Sequence, residues 1–258
     1  MKRNDKNLQS EAIERKHFNT LAKLYDDNYG YNDDFTKYKI IKKASFLVDL
    51  IEQSGLNKSS LVLEIGCGTG VYTRELVKFV SNLRIYAIDI SPEMIFCARR
   101  NSLEYESIEY IISSAYATGI PSNSVDIVYG FYVLHHLNVK MAMSEIHRIL
   151  KPGGLVFFYE PNILNPWVFF VKSIPFLKKF VGDSPGEYAI NPLTFESYTN
   201  GFEVIDISTT EFVVPFKILS FNLKVTIDKF TDSVFKQVPL LSSVGGSVKI
   251  ILKKTFEK

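Results

Sequence analysis

Between residues 60 and 160, short apolar runs alternate with segments of helical spacing, and no other feature restricts the fold as much. SLVLEI (60–65), RIYAIDI (84–90), IEYII (108–112), SVDIVYGF (124–131) and GLVFFYE (154–160) read as strands. VYTRELVKFV (71–80) and PEMIFCARRNSL (92–103) read as helices, the second with Ser91 as N-cap and Pro92 at its first position. A third helix runs through MAMSEIHRIL, and FEVIDIST (202–209) and GSVKIILKK (246–254) add two later strands. Strands that are apolar along most of their length belong to a parallel sheet covered on both faces. Right-handed crossovers then predict a doubly wound, Rossmann-like α/β sheet with helices on both faces.

The flanks divide the rest. Residues 1–56 are expected to form an N-terminal cap and lead helix: a polar lead (1–20), an aromatic and acidic stretch (17–35), and a helix over 37–56 ending at Gly55. Residues 57–258 form the main domain, with an aromatic, Pro-punctuated insert at 161–192. A long helix is predicted over 215–238. Pro215 stands at its start, and Phe216, Leu219, Leu223, Ile227, Phe230, Val234 and Val238 recur at three- and four-residue steps. The 258 residues suffice for one large α/β domain. A net charge of +2 argues against a nucleic-acid partner. The two cysteines, Cys67 and Cys97, suggest neither a disulfide framework nor a zinc site, and no His/Cys/Asp cluster has metal-ligand spacing. The N-terminus lacks an apolar signal core and no run reaches membrane-spanning length, so a cytoplasmic location is expected.

The turn after the first strand carries the chemistry. In LEIGCGTG, Gly66, Gly68 and Gly70 follow one another at alternate positions and open the next helix. Glycine allows positive φ and brings backbone against a ligand, and helix N-terminal amides attract polar groups. A nicotinamide-binding G-x-G-x-x-G turn would need glycine at position 71, where Val71 stands. Asp89 ends the second strand about 20 residues on, where a carboxylate can accept both ribose hydroxyls of a nucleoside ligand.

With these residues in order, the sequence resembles the class I S-adenosylmethionine-dependent methyltransferases, within the type 11 small-molecule group. LEIGCGTG resembles the family's first motif, AIDIS its ribose-binding strand end, SVDIVYGFYVLHHL its fourth strand, and RILKPGG the turn before its fifth. The resemblance spans roughly residues 60–205. It implies a mostly parallel seven-stranded sheet with an antiparallel last strand, and S-adenosylmethionine as cofactor with S-adenosylhomocysteine as product. It also implies that backbone from Gly66 through Cys67 and Gly68 to Gly70 holds the methionine portion. Asp89 takes the ribose, with Ile90 and Met94 beside the adenine. Ser114, Ala115 and Tyr116 meet the adenine edge, and Phe131 lies near the methionine moiety. Ser114 stands where the family often has an acid. Glu64 either orients the glycine turn, reaches the methionine ammonium, or serves structure alone.

Methyl transfer from a sulfonium is an in-line displacement, so the protein supplies alignment and, for a hydroxyl acceptor, a base. Two of the four histidines, His135 and His136, lie just past the fourth strand, at the carboxyl edge where open α/β sheets bind ligands. The resemblance favours His136 as the base. Glu160 ends the fifth strand and can orient a histidine or accept a proton.

Substrate choice is assigned by the resemblance to the N-terminal cap and the insert. PWVFFVKSIPFLKKFV (166–181) carries Lys172, Lys178 and Lys179 and no acid. It suits a hydrophobic, sugar or lipid-linked small-molecule acceptor and contact with a membrane face. O-methylation is expected, with N- or C-methylation as alternatives. A nucleotide-dependent oxidoreductase or a non-catalytic cofactor-binding module are the rivals from other classes. The sequence specifies no oligomeric state.

Overall fold

The computed structural model describes residues 2–29, 31–57, 59–80, 83–184, 186–212, 218–239 and 241–256. The chain opens with helices α1 (Lys2–Leu21), α2 (Tyr25–Asn28) and α3 (Asp34–Gln53). The sheet region follows: β1 (Leu61–Ile65), α4 (Val71–Phe79), β2 (Arg84–Asp89), α5 (Pro92–Asn101), β3 (Ile108–Ile112), β4 (Val125–Phe131), α6 (Val139–Ile149) and β5 (Leu150–Pro161). The insert forms α7 (Pro166–Ser173) and α8 (Pro175–Val181). Then come β6 (Phe202–Thr210), α9 (Phe221–Phe235) and β7 (Ser247–Lys254).

The seven strands lie in the order β3-β2-β1-β4-β5-β7-β6. The pairs among β1 to β5 are parallel, and β7 runs antiparallel to β5 and β6. Chain direction across the sheet reverses between β1 and β4, which leaves a crevice beyond their carboxyl ends. The glycine turn leaves β1 into this crevice, and the two histidines leave β4 into it. Leu47, Val48, Leu76 and Val77 of α3 and α4 bury one face of the sheet. Val139, Ala142, Met143 and Ile146 of α6 bury the other. Asp126 works at the opposite end, where its carboxylate accepts from Leu61 N and from Lys151 Nζ, each at 2.8 Å.

Three expectations change. The polar lead is a 20-residue helix, α1, built from good helix formers. It lies against α5 and over the crevice, where Asn19 Oδ1 accepts from Ser91 Oγ at 2.6 Å. The long helix is shorter than 215–238: it begins after Ser220, whose hydroxyl caps Leu223 N, and ends at Phe235. Pro215 and Phe216 lie outside the described residues. Its buried side is polar. Asp228, Thr231 and Asp232 face α3, where Asp228 meets Lys39 at 2.6 Å and Lys42 at 2.5 Å. Its apolar residues Leu223 and Phe230 are exposed. The expected apolar stripe therefore turns outward, because four charged groups on the facing helices find partners only when the acids turn in.

Candidate active site

The crevice holds a cavity of about 960 Å³, open mouth included. Its floor is the turn after β1. At Gly66, with φ +68°, an added Cβ would lie 2.8 Å from Val133 Cβ, so that glycine serves packing. Gly68, with φ +53°, has nothing within 4 Å of such a Cβ and borders the cavity, so its missing side chain leaves room for a ligand. Asp89 takes one backbone donor on each carboxylate oxygen, Gly68 N and Ser91 N, both at 2.9 Å. Burial raises its pKa, and each oxygen keeps a lone pair for a hydroxyl. Ile90, Met94, Ala115 and Tyr116 form an apolar slot beside it, and Ser10, Glu11, Glu14 and Phe18 of α1 roof it.

This cavity opens into a second one of about 1220 Å³, openings included, between α3, the cap and α7. Phe18, Tyr25, Tyr31, Tyr72, Tyr132 and His136 border both. Tyr72 stacks on Phe131 with centroids 4.0 Å apart. Tyr132 sits in the left-handed region at φ +55°, a strained conformation for an aromatic residue. Its hydroxyl donates to Glu211 Oε2 at 3.2 Å, and Lys43 Nζ lies 4.8 Å from its ring centroid. Lys39 and Lys43 line one wall, and Trp167, Val168 and Val171 of α7 line another. Lys172, Asp183 and Glu187 close the end beneath the insert.

The histidines differ in state. His135 is buried with Nδ1 2.7 Å from Glu160 Oε2 and Nε2 3.3 Å from Glu187 Oε1. Burial opposes its charge, yet the two carboxylates outweigh it and lift the pKa to about 9. His136 sits between the cavities. Burial first, and then the neighbouring His135 cation, lower its pKa and favour the neutral imidazole. Its Nδ1 lies 3.2 Å from Glu14 Oε2 and 3.4 Å from Ser184 Oγ.

Known proteins fit this geometry. Residues 63–158 match the methyltransferase domain family. A demethylmenaquinone methyltransferase of Staphylococcus aureus is 26% identical over 193 residues, covering 71% of this chain and 77% of that protein. A sterol 24-C-methyltransferase of Gibberella zeae is 28% identical over 161 residues, covering 58% of this chain and 41% of that protein. The solved structure of a SAM-dependent methyltransferase from Thermotoga maritima superposes with a TM-score of 0.65 at 15% identity, over 94% of this chain and 99% of that one. The chain carries a methyltransferase domain of the S-adenosylmethionine-dependent kind.

The residues expected to hold the methyltransferase's cofactor divide by position. Gly66, Cys67, Gly68, Asp89, Ile90, Met94, Ala115, Tyr116 and Phe131 border the first cavity. Three others do not. Gly70 turns toward Tyr110 and caps α4. Ser114 turns its hydroxyl to Glu11 of α1, and Ser113 takes its place on the wall. Glu64 is buried behind the turn, accepting from Thr73 Oγ1 at 2.5 Å and Tyr129 OH at 2.8 Å, and burial lifts its pKa to about 7. Glu160 borders neither cavity: it accepts from Val133 N at 3.0 Å, Leu134 N at 2.8 Å and His135. Its carboxylate is thus taken up by the turn after β4 and by His135. The open space at Gly68, the free lone pairs of Asp89 and the apolar slot beside them suit the three parts of S-adenosylmethionine.

Sequence reasoning missed Glu14, Tyr132 and Glu187. Tyr25 and Tyr31 lay within the aromatic cap stretch, which was the available signal. Glu187 lies in an unremarkable turn of the insert and carried none.

Proposed function

We propose that this methyltransferase moves the sulfonium methyl of S-adenosylmethionine onto a hydroxyl of a hydrophobic, lipid-like acceptor. One observation carries the reading: the cofactor cavity opens directly into a larger aromatic chamber, with His136 as the polar side chain on the shared rim beside five aromatic residues. In this reading the turn around Gly66–Gly68 holds the methionine portion, Asp89 the ribose, and Ile90, Met94, Ala115 and Tyr116 the adenine. The cofactor supplies a methyl already activated by its positive sulfur. The aromatic rim aligns the acceptor and excludes water, and His136 activates the hydroxyl.

The insert supports a greasy acceptor. Trp167, Phe176 and Phe180 are 62%, 75% and 79% exposed, next to Lys178 and Lys179. Aromatic residues beside lysines suit the headgroup region of a bilayer, so the acceptor is drawn from a membrane surface. No helix among the described residues is long and apolar enough to cross one. The two curated relatives, named for demethylmenaquinone and for a sterol, support the same acceptor class. Methylation at carbon is the second reading, favoured by the sterol 24-C-methyltransferase likeness.

Methyl-labelled S-adenosylmethionine, incubated with the protein and a total lipid extract, tests the reading. Label is expected in the organic phase. Label confined to water-soluble products would sink the acceptor class. An ether methyl in the labelled product supports the hydroxyl, a methyl ester would overturn it in favour of a carboxylate acceptor, and a carbon-bound methyl moves the conclusion to the second reading.

A further inference from the structure

His135, His136 and Glu187 bring their ligand atoms within 4.8 Å of one another, the one such convergence among the described residues. Glu14 of α1 joins them from the opposite side. It is only 6% exposed, and its Oε2 has no hydrogen-bond partner although it points at His136 Nδ1 from 3.2 Å. A buried carboxylate oxygen left in that state is costly unless something else meets it.

The spacings indicate what. Ligands about 2.1 Å from a shared cation lie roughly 3.0–3.4 Å from each other. His135 Nε2 to Glu187 Oε1 is 3.3 Å, His136 Nδ1 to Glu14 Oε2 is 3.2 Å, and His136 Nδ1 to Glu187 Oε2 is 3.9 Å. The bond that is a good hydrogen bond, His135 Nδ1 to Glu160, is much shorter at 2.7 Å. It also fixes His135 with Nε2 toward the cluster, the outer carboxylate–histidine pairing that accompanies bound metals. Charge agrees. Glu14, Glu160, Asp183 and Glu187 crowd a buried space that Lys172 enters as the facing lysine, and His135 would bind a cation through a deprotonated Nε2. Lys172 and Ser184 N hold Glu187 and leave it lone pairs to spare.

We propose that Glu14, His135, His136 and Glu187 bind a divalent first-row transition cation such as Zn²⁺, a choice set by two imidazoles with two carboxylates. The site straddles the junction of the cavities, because Glu14 borders the first, Glu187 and His135 the second, and His136 both. A cation there would polarise the acceptor hydroxyl and lower its pKa, with His136 then serving as a ligand rather than taking the proton itself. That role rests on the acceptor reading above; the binding site itself does not.

Tag-free full-length protein, stripped with chelator, would be titrated with Co²⁺ as a spectroscopic probe and with Zn²⁺ by calorimetry. One equivalent is expected to bind, with visible Co²⁺ bands. Glu14→Gln and His136→Ala are expected to weaken binding at least tenfold. Circular dichroism and S-adenosylhomocysteine binding report folding independently, and Glu187→Gln is a second variant should one of the others unfold. No stoichiometric binding by folded protein, or binding untouched by these substitutions, overturns the metal site and leaves the cofactor reading standing. Metal binding without any S-adenosylhomocysteine binding would instead remove the cofactor reading and leave the metal site.

Discussion

Gly66→Ala and Gly68→Ala should separate folding from cofactor binding, although the two glycines stand two residues apart. Both have positive φ, +68° and +53°, so either alanine incurs the left-handed penalty of about 1–2 kcal/mol. The surroundings then differ. At position 66 the new methyl would lie 2.8 Å from Val133 Cβ, closer than real contacts allow, and Val133 is buried. Overpacking of this kind adds about 1–3 kcal/mol. The total of roughly 2–5 kcal/mol corresponds to a fall in melting temperature of roughly 5–15 °C for a domain this size. At position 68 nothing lies within 4 Å, so only the backbone penalty remains, a fall of roughly 2–6 °C. That methyl instead enters the cofactor cavity, and S-adenosylhomocysteine affinity should drop at least about tenfold. Thermal unfolding by circular dichroism and calorimetric titration read the two effects separately. Adding Val133→Ala to Gly66→Ala should show a favourable coupling of about 1 kcal/mol, because the still closer contact with Val133 Cγ2 goes while the approach to Cβ and the backbone penalty stay. Undiminished S-adenosylhomocysteine binding by Gly68→Ala would refute the reasoning that its open space belongs to the cofactor.

Three further outcomes follow from the same structure. Asp89→Ala should weaken S-adenosylhomocysteine binding roughly 10–100-fold in calorimetry, since charge-assisted hydrogen bonds to the ribose contribute about 1.5–3 kcal/mol. Glu64 has its folded pKa raised to about 7, above the ordinary 4.5, so folding favours its protonated form. Stability should therefore fall as pH rises from about 4.5 to about 7, by up to about 3 kcal/mol. Glu64→Gln should flatten that slope in urea unfolding at pH 5 and pH 8, and an unchanged slope would remove Glu64 as its source. Asp228→Ala removes one of two carboxylate partners from each of Lys39 and Lys42, which keep Glu211 and Asp232, so it should cost about 1.5–3 kcal/mol in urea unfolding.

How much of this could be read from the sequence depends on how far apart the cooperating residues lie. Parallel strands buried on both faces leave continuous apolar runs, so the strands β1 to β7 were legible, with β5 extended to Leu150 through the KPGG turn. The floor of the first cavity was legible too, because it is made by backbone turns within a few residues of strand ends: the glycines after β1 and Asp89 at the end of β2. Local steric demands write themselves locally. The residues where the two cavities meet obey no such rule. Glu14, His136 and Glu187 span more than 170 positions and come from a roof helix, a strand end and an insert turn, each unexceptional in its own neighbourhood. The same argument explains α9. Its three- and four-residue apolar spacing was real, but spacing states only that a helix has two faces. Which face turns inward was decided by Lys39 and Lys42 on α3, about 190 residues away, whose charges need Asp228 and Asp232 more than the core needs Phe230. An apolar face left outward in this way, on a helix packed against α3, whose Lys39, Ile40 and Lys43 line the second cavity, is what the proposed lipid acceptor would lead one to expect.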